Sequence, residues 1–399
     1  MTKKRALILN TSHNDLRMIL ALKELGYYVT ATGNQPGLVG EKYVDEYIRT
    51  DYSDKERVLE LSEKLGIDAI CACCNDFGVI TAAFIAEKMG LPGHDTYENV
   101  LTIHHKDRFK QFAKEHGILT PEAACFSTEK DAINWLSNAE YPIIVKSSDL
   151  SAGNGVSRAD CHEEAAEAVR KAFNSSRIKK IIIEPFIESS QHAFCTFIIN
   201  KKVAAYCTNN EYSFINPYRV EIDTYPAENF ECVKGILTKE AEKIASILDL
   251  KDGILHMQYR LKDGKPFIIE AMRRVLGNLY MIPAEKLTGL NWDYWEVKAH
   301  CGLDCSDFPA DIKQHGFYAY RAIMGKKNGN IKKVVIPDSI SKYIFDDFMP
   351  WQPDKPIRNY MSEPLGFLFF QFDSVKEMND IMLNRYEDIY VEMENNLNG

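Results

Sequence analysis

Over residues 1–100 strand-like and helix-like segments alternate, and this alternation most constrains the fold. Apolar "RALILN" precedes a helical stretch from Asp15 to Leu25, Gly26 as a stop and the strand "YYVTAT". A helix near 54–65, a strand at 67–74 and a helix at 76–89 ending at Gly90 follow. Successive strand–helix units need crossover connections, so they imply a parallel, doubly wound sheet. The first turn, Asn10 to Asn14, lacks the glycines of a dinucleotide fingerprint, and no nicotinamide cofactor is expected. Ligands of such sheets sit at the carboxyl ends of strands, here Thr11, Ser12 and His13, and Asn75 and Asp76. Asp76 as the N-cap of its helix accounts for the second pair without a ligand.

A chain of 399 residues exceeds one ordinary core, and two or three domains are expected. Hydrophobic residues at 45% and charged residues at 26% describe a globular protein. The formal charge of −9 argues against nucleic acid as a partner while leaving room for a local basic pocket. The N-terminal apolar run, Ala6 to Leu9, is too short for a signal peptide, and no run could span a bilayer, so no membrane partner and a cytoplasmic location are expected. Ten cysteines then read as reduced thiols; Cys71 and Cys74 have CxxC spacing, but no second pair follows at zinc-ribbon spacing.

From about residue 101 the pattern changes. A helix at 105–116 ends at Gly117, Thr120-Pro121 marks a linker, and an α+β stretch richer in hairpins runs to about 310. The last ninety or so residues carry strands such as "GFLFFQF" and a final helix from Ser374 to about Glu394. The expected division is 1–100, 101–310 with a lid subdomain at about 120–186, and a small α+β region over 311–399.

The segment "GILHMQYRLKDGKPFIIEAMRRVLGN", 253–278, reads as two strands joined at Asp263-Gly264. His256, Gln258 and Arg260 share one face; Pro266, Ile268, Glu270 and Met272 share one face of the next strand. With an odd-numbered loop, Gln258 and Glu270 fall opposite each other and offer oxygens to a hard cation, with Arg273 and Arg274 beyond. A cation beside arginines suits a triphosphate; an ordinary surface hairpin fits the same pattern.

In "YPIIVKSSDLSAGNGVSR", 141–158, a strand delivers Lys146 to a loop where Gly153 and Gly155 let backbone amides approach an anion. Ser147, Ser148 and Ser151 add hydroxyl donors. The glycines follow the lysine, so this is not a Walker A loop, and a plain surface turn is the alternative. In "IIIEPFIESSQHAF", 181–194, Pro185 breaks the ladder, Phe186 and Ile187 suit a purine, and Glu188 or His192 can reach a ribose. Candidates for an anionic substrate are Arg219, Arg273 and the Asn75-Asp76 strand end.

The order and spacing of these segments resemble the ATP-grasp superfamily over roughly 101–300. "HKDRFKQFAKEHGILTP" looks like its opening element, "YPIIVKSSDLSAGNGV" like its central lysine and glycine-rich loop, and "GKPFIIEAMRR" like its magnesium-binding strand. The first 100 residues resemble the companion domain of the biotin carboxylase, carbamoyl-phosphate synthetase and purine-ligase branch. The resemblance implies that Lys106 and Lys146 contact ATP phosphates under a lid formed by 147–155, and that Glu184 and Ile187 flank the adenine. It implies His192 beside the ribose, Glu270 as the main magnesium carboxylate, and Arg274 steadying the transferred phosphate. Two positions depart from the family: Gln258 replaces an acid and Met272 an asparagine, with Asn278 a candidate to compensate. Gln258→Glu is therefore expected to strengthen the magnesium site.

What the resemblance implies is an ATP-dependent carboxylate–amine ligase working through an acyl phosphate, with ATP and magnesium (manganese able to substitute) and small-molecule carboxylate and amine partners. A homodimer is compatible with it. The alternatives are a bicarbonate-using, carboxyphosphate-forming enzyme and a non-catalytic nucleotide-binding regulatory protein.

Overall fold

The computed structural model describes residues 3–352 and 355–394. Its first unit is a four-stranded, all-parallel sheet of β1 (Arg5–Leu9), β2 (Tyr28–Gly33), β3 (Glu46–Arg49) and β4 (Ala69–Cys71), in the order β3-β2-β1-β4. Helix α1 (Leu16–Glu24) links β1 to β2, α2 (Lys55–Leu65) links β3 to β4, and α3 (Asp76–Met89) follows β4, in keeping with the alternating pattern. Burial on both faces explains the near-continuous apolar runs: Ala6 and Ile8 face α1, whereas Leu7 and Leu9 face α2 and α3. The short strand β3 and a helix α4 (Tyr97–His104) were not foreseen from the pattern.

After α5 (Lys106–His116), a second sheet forms from β5 (Ala124–Phe126), β6 (Ile143–Ser147), β7 (Val156–Ala159) and β8 (Ile181–Pro185), ordered β5-β8-β6-β7. It packs on α6 (Glu129–Trp135) and α7 (His162–Ser175) through a small core of its own that includes Ile143, Val145, Val169 and Ile183.

The third sheet is the largest. It contains β9 (Ser190–Ile199), β10 (Lys202–Tyr212), β11 (Ile222–Tyr225), β12 (Gly253–Lys262), β13 (Lys265–Met272) and β14 (Phe317–Ile323). The later strands β16 (Ile344–Phe348) and β17 (Gly366–Phe372) join it, while β15 (Ile331–Val335) pairs with β18 (Tyr390–Met393). The order β13-β12-β9-β10-β11-β14-β17-β16 carries one sheet across residue 310, so the division expected there runs between paired strands. Alternation along β9 and β12 gives the sheet two faces. Phe194, Leu255, Met257 and Tyr259 pack under α8 (Phe230–Ile247). On the opposite face Cys195, Phe197 and Ile254 join the core shared with α9 (Met281–Thr288), α10 (Trp292–His300) and the first unit. The far end of that face lies open beneath the second sheet.

Two expectations need correction. The β12–β13 turn has two residues, Asp263 and Gly264, both at positive φ, the geometry of a tight hairpin. A bulge at Ile269, not an odd loop, brings Gln258 opposite Glu270. It also splits the expected face: Ile268 and Ala271 point into the α8 core, whereas Ile269 and Glu270 turn to the open face. The second correction concerns the C-terminus. The expected long helix is a short one, Val375–Asn379, then a wider turn over 380–384 and β18. Met378, Ile381 and Met382 follow helical spacing into the core, but the buried Arg321 donates to the carbonyls of Tyr386 and Ile389 at 2.9 Å and holds the chain out of helix there.

Candidate active site: a cleft between the second and third sheets

The open end of the third sheet and the inner face of the second enclose a continuous cleft with two unlike halves. The inner half, about 790 Å³ of empty space including its mouth, has an apolar wall of Ile144, Leu150, Val156, Phe186, Ile187 and Ile269. Lys106, Lys146, Glu184, Gln258 and Glu270 line its polar side. The outer half, about 1140 Å³ counted the same way, is lined by Asn75, Glu211, Arg219, Asp223, Arg274 and Asn278, among others. Gln258 and Glu270 belong to both halves.

Each lysine is delivered by a rigid element. Lys106 opens α5, and its ammonium lies 2.7 Å from Glu270 and 2.7 Å from the carbonyl of Leu150. Burial lowers its proton affinity, but Glu270 outweighs that and the net shift is upward. Lys146, on β6, lies 3.2 Å from the Glu184 carboxylate. One helical turn beyond Lys106, Lys110 lies 3.1 Å from the other Glu184 oxygen. Glu184 is 1% exposed; burial pushes its carboxyl up, yet the two lysines bring it below the usual range. Lys110 itself is brought down to about 8, burial prevailing over Glu184.

The loop after β6 divides into an anchored and a free part. The Ser147 hydroxyl donates to the Ala172 carbonyl, Ser148 bonds Asp107, and the Asp149 carboxylate accepts from Ser176 and the Arg177 amide. Ser147 is therefore structural and not a phosphate donor. Gly155 is structural too: at φ +67, a Cβ there would fall 2.1 Å from the Ser147 oxygen. Ser151 and Gly153 do line the cleft. Gly153 (φ +75) rests where a Cβ would meet the Tyr218 carbonyl at 2.5 Å, so only glycine lets the loop tip settle there.

Arg274 reaches the outer half, paired with Asp76 at 2.6 Å and 3.2 Å from the Met272 sulfur. Asn75, not Asp76, caps α3, accepting from the Phe77 amide at 3.0 Å. Asp76 holds Arg274 and His104 instead; burial raises its carboxyl, but Arg274 takes it well below the usual range.

Three expected residues lie elsewhere. Arg273 points away from the cleft, pairing with Asp95 at 2.8 Å and donating to the carbonyls of Ile254 and Lys251. His192 faces α8, stacked on Tyr259, with its nitrogens bonded to Asn210 and Ser190; strand alternation puts Gln191 in the cleft in its place. His13 stacks on Phe348 and is depressed by burial to about 4, while its neighbour Asn14 lines the outer half.

The polar row across the sheet was also missed. Gln191 stands opposite Glu211, Glu211 opposite Asp223, and Asp223 opposite Tyr320. The available signal was the polar run Thr208-Asn209-Asn210-Glu211 at the end of β10 and Asp223-Thr224 in β11, in strands that are otherwise largely buried.

Residues 104–217 match the family described as phosphoribosylglycinamide synthetase, ATP-grasp (A) domain. Over that segment the chain is similar to ATP-grasp proteins. It is 25% identical over 293 residues to the C-terminal section of the carbamoyl phosphate synthase large chain of Methanocaldococcus jannaschii, covering 66% of this chain and 44% of that one. The chain thus spans less than half the length of the curated relatives it matches first. Among solved structures it resembles an L-amino acid ligase from Bacillus licheniformis (TM-score 0.82, 21% identity, 99% and 100% of the two chains). The biotin carboxylase domain of Hydrogenobacter thermophilus 2-oxoglutarate carboxylase, in complex with MgADP, ADP and bicarbonate, is similar over 98% and 91% (TM-score 0.77, 18% identity). At these identities the two structures speak to the ATP-grasp fold alone. No helix among the described residues is long and apolar enough to cross a membrane.

The residues present fit one magnesium ion. The Gln258 amide nitrogen donates to both Glu211 oxygens, at 2.9 and 3.0 Å, which leaves its carbonyl oxygen as a hard donor opposite Glu270. The Met272 sulfur is engaged by Arg274, and Asn278 lines the cleft. Among the described residues no group of three or more His, Cys, Asp or Glu is arranged to hold a metal, so an ion here would complete its shell with phosphate oxygens and water.

Proposed function

We propose that the cleft is the active site of an ATP-dependent carboxylate–amine ligase. The observation that carries this reading is the convergence of Lys106, Lys146, Glu270 and Arg274 on one cleft that also has an apolar slot of base size. The base would lie against Ile144, Val156, Phe186 and Ile187, and the phosphates would extend toward the lysines. Lys106 is held by Glu270 and Leu150, and Lys146 by Glu184; phosphates would draw both into charge-assisted contacts. Magnesium, when bound at Glu270 and Gln258, supplies charge neutralisation at the phosphates.

A substrate carboxylate oxygen forms a bond to the γ-phosphorus as the bond to the β–γ bridging oxygen breaks, leaving ADP. Lys106, Lys146 and Arg274 balance the charge of that transfer. A neutral amine then attacks the acyl carbon, the carbon–oxygen bond to phosphate breaks, and the amine's surplus proton leaves to water. Residues 150–154 would cover the site and exclude water from the mixed anhydride.

The test is incubation with ATP, magnesium, candidate carboxylates and hydroxylamine as the amine. The reading expects ADP, phosphate and hydroxamate in equal amounts. AMP and pyrophosphate would overturn it, and phosphate release that needs bicarbonate in place of an organic acid would favour the carboxyphosphate alternative.

A further inference from the structure

The outer half of the cleft holds an acidic and a basic side chain, neither with a counter-charge beside it among the described residues. Asp223 is 3% exposed, and among the described residues its carboxylate accepts from the neutral Asn209 amide at 2.9 Å. Burial, and then the charge of Glu211, push its carboxyl well up; a cation beside it would counter both. Glu211, opposite it on β10, accepts from the neutral amides of Gln191 and Gln258, with Arg260 acting at longer range. Arg219 is the complementary case. It lines the same half of the cleft, has no carboxylate within ion-pair distance among the described residues, and is lowered by burial. Tyr320, 1% exposed, also lines this space; its hydroxyl makes no hydrogen bond of good geometry among the described residues, with the Asn278 side chain its polar neighbour. It feels the charges of both Asp223 and Arg219.

We propose that this half of the cleft binds a zwitterionic amino acid, its ammonium at Asp223 backed by Glu211, its carboxylate at Arg219, and the Tyr320 hydroxyl bonded to it. The inference rests on the ligase reading and adds the substrate class. A buried carboxylate and a half-buried guanidinium left without counter-charges cost stability, and one molecule with both charges relieves both. A simple carboxylate would satisfy Arg219 and leave Asp223 as it is. A divalent ion would do the reverse.

The experiment uses the full chain with ATP, magnesium and hydroxylamine in every arm. The probes are a mixture of the protein L-amino acids and, in parallel, the same acids N-acetylated, which keeps the carboxylate and removes the ammonium. Phosphate release should be faster with the free amino acids by about tenfold or more, the value of one charge-assisted contact. Asp223→Asn, which keeps an acceptor for Asn209, should raise KM for the most active amino acid about tenfold, and Arg219→Met likewise, with ATP affinity unchanged by calorimetry. Equal rates with the N-acetyl acids, or unaltered KM in both variants, would overturn the proposal. So would tight ATP binding with no stimulation by amino acids, an outcome that leaves the nucleotide site standing. Failure to bind ATP at all would overturn the nucleotide reading and this inference with it.

Discussion

Asp76, at the start of α3, holds Arg274 by an ion pair of 2.6 Å and so links the first unit to the edge of the cleft. The same oxygen meets His104 at 3.1 Å. Arg274 thereby keeps one orientation while Met272 and the Val275 carbonyl take its other donors. Asp76→Asn retains an acceptor but removes the charge that fixes the guanidinium. Turnover is expected to fall by about tenfold with ATP affinity preserved, since the lost interaction matters most when charge develops. Steady-state kinetics with parallel calorimetry separates the two; an equal loss of ATP binding would place Arg274 in ground-state binding.

Substitution of the hairpin pair is expected to act asymmetrically. Glu270→Gln removes the carboxylate that faces Lys106 and should abolish ADP formation. Gln258→Glu, expected from the family pattern to strengthen the ion site, should instead weaken the protein. Its new carboxylate would face both Glu211 oxygens with no proton to donate, a loss of about 1–3 kcal/mol. Urea unfolding and magnesium titration of ATP binding would show this; tighter magnesium dependence at unchanged stability would contradict it.

Lys110 gives the cleft a pH response. Its folded-state value of about 8 lies below the ordinary lysine value, so between the two the unfolded chain binds more protons and stability should rise with pH. Below about pH 8 the buried charge is present and its cost is felt in full. ATP affinity should move the opposite way, falling above pH 8 as the buried positive charge against Glu184, behind the cleft wall, is lost. Lys110→Arg stays charged and should flatten the affinity profile in calorimetric titrations from pH 7 to 9; an unchanged profile would exclude Lys110 as the source.

The loop after β6 should exchange amide hydrogens in two classes. Ser147 and Ser148 donate to Gly155 and Lys180, so their amides should be protected without nucleotide. Residues 150–154 have few such bonds and should exchange quickly, then slow in the presence of an ATP analogue and magnesium. Uniform protection of 147–154 in the free protein would argue against a closing lid.

Much of this architecture is legible in the sequence, for identifiable reasons. Apart from β3, the strands of the first unit and its helices α1 to α3 follow from apolar runs closed by Gly26, Gly66 and Gly90. Lys106, Lys146, Glu270 and Arg274 stand beside strong local punctuation, a helix start, a glycine-rich loop and a hairpin. What escaped depends on register and on which way a strand faces. His192 and Gln191 are adjacent, and only the pairing of β9 says which one enters the cleft. The Ile269 bulge leaves no composition mark. Arg273 and Arg274 look alike in sequence, yet Asp95 takes one and Asp76 the other. Glu211 and Asp223 become neighbours only when β10 and β11 pair.

The most direct measurement follows oxygen. With the carboxylate of the active acid labelled with oxygen-18, the protein, ATP, magnesium and an amine should release phosphate carrying one labelled oxygen, detected by mass spectrometry, alongside unlabelled ADP. That outcome requires an acyl phosphate formed at the γ-phosphoryl group. Unlabelled phosphate, or label appearing in AMP, would contradict the account.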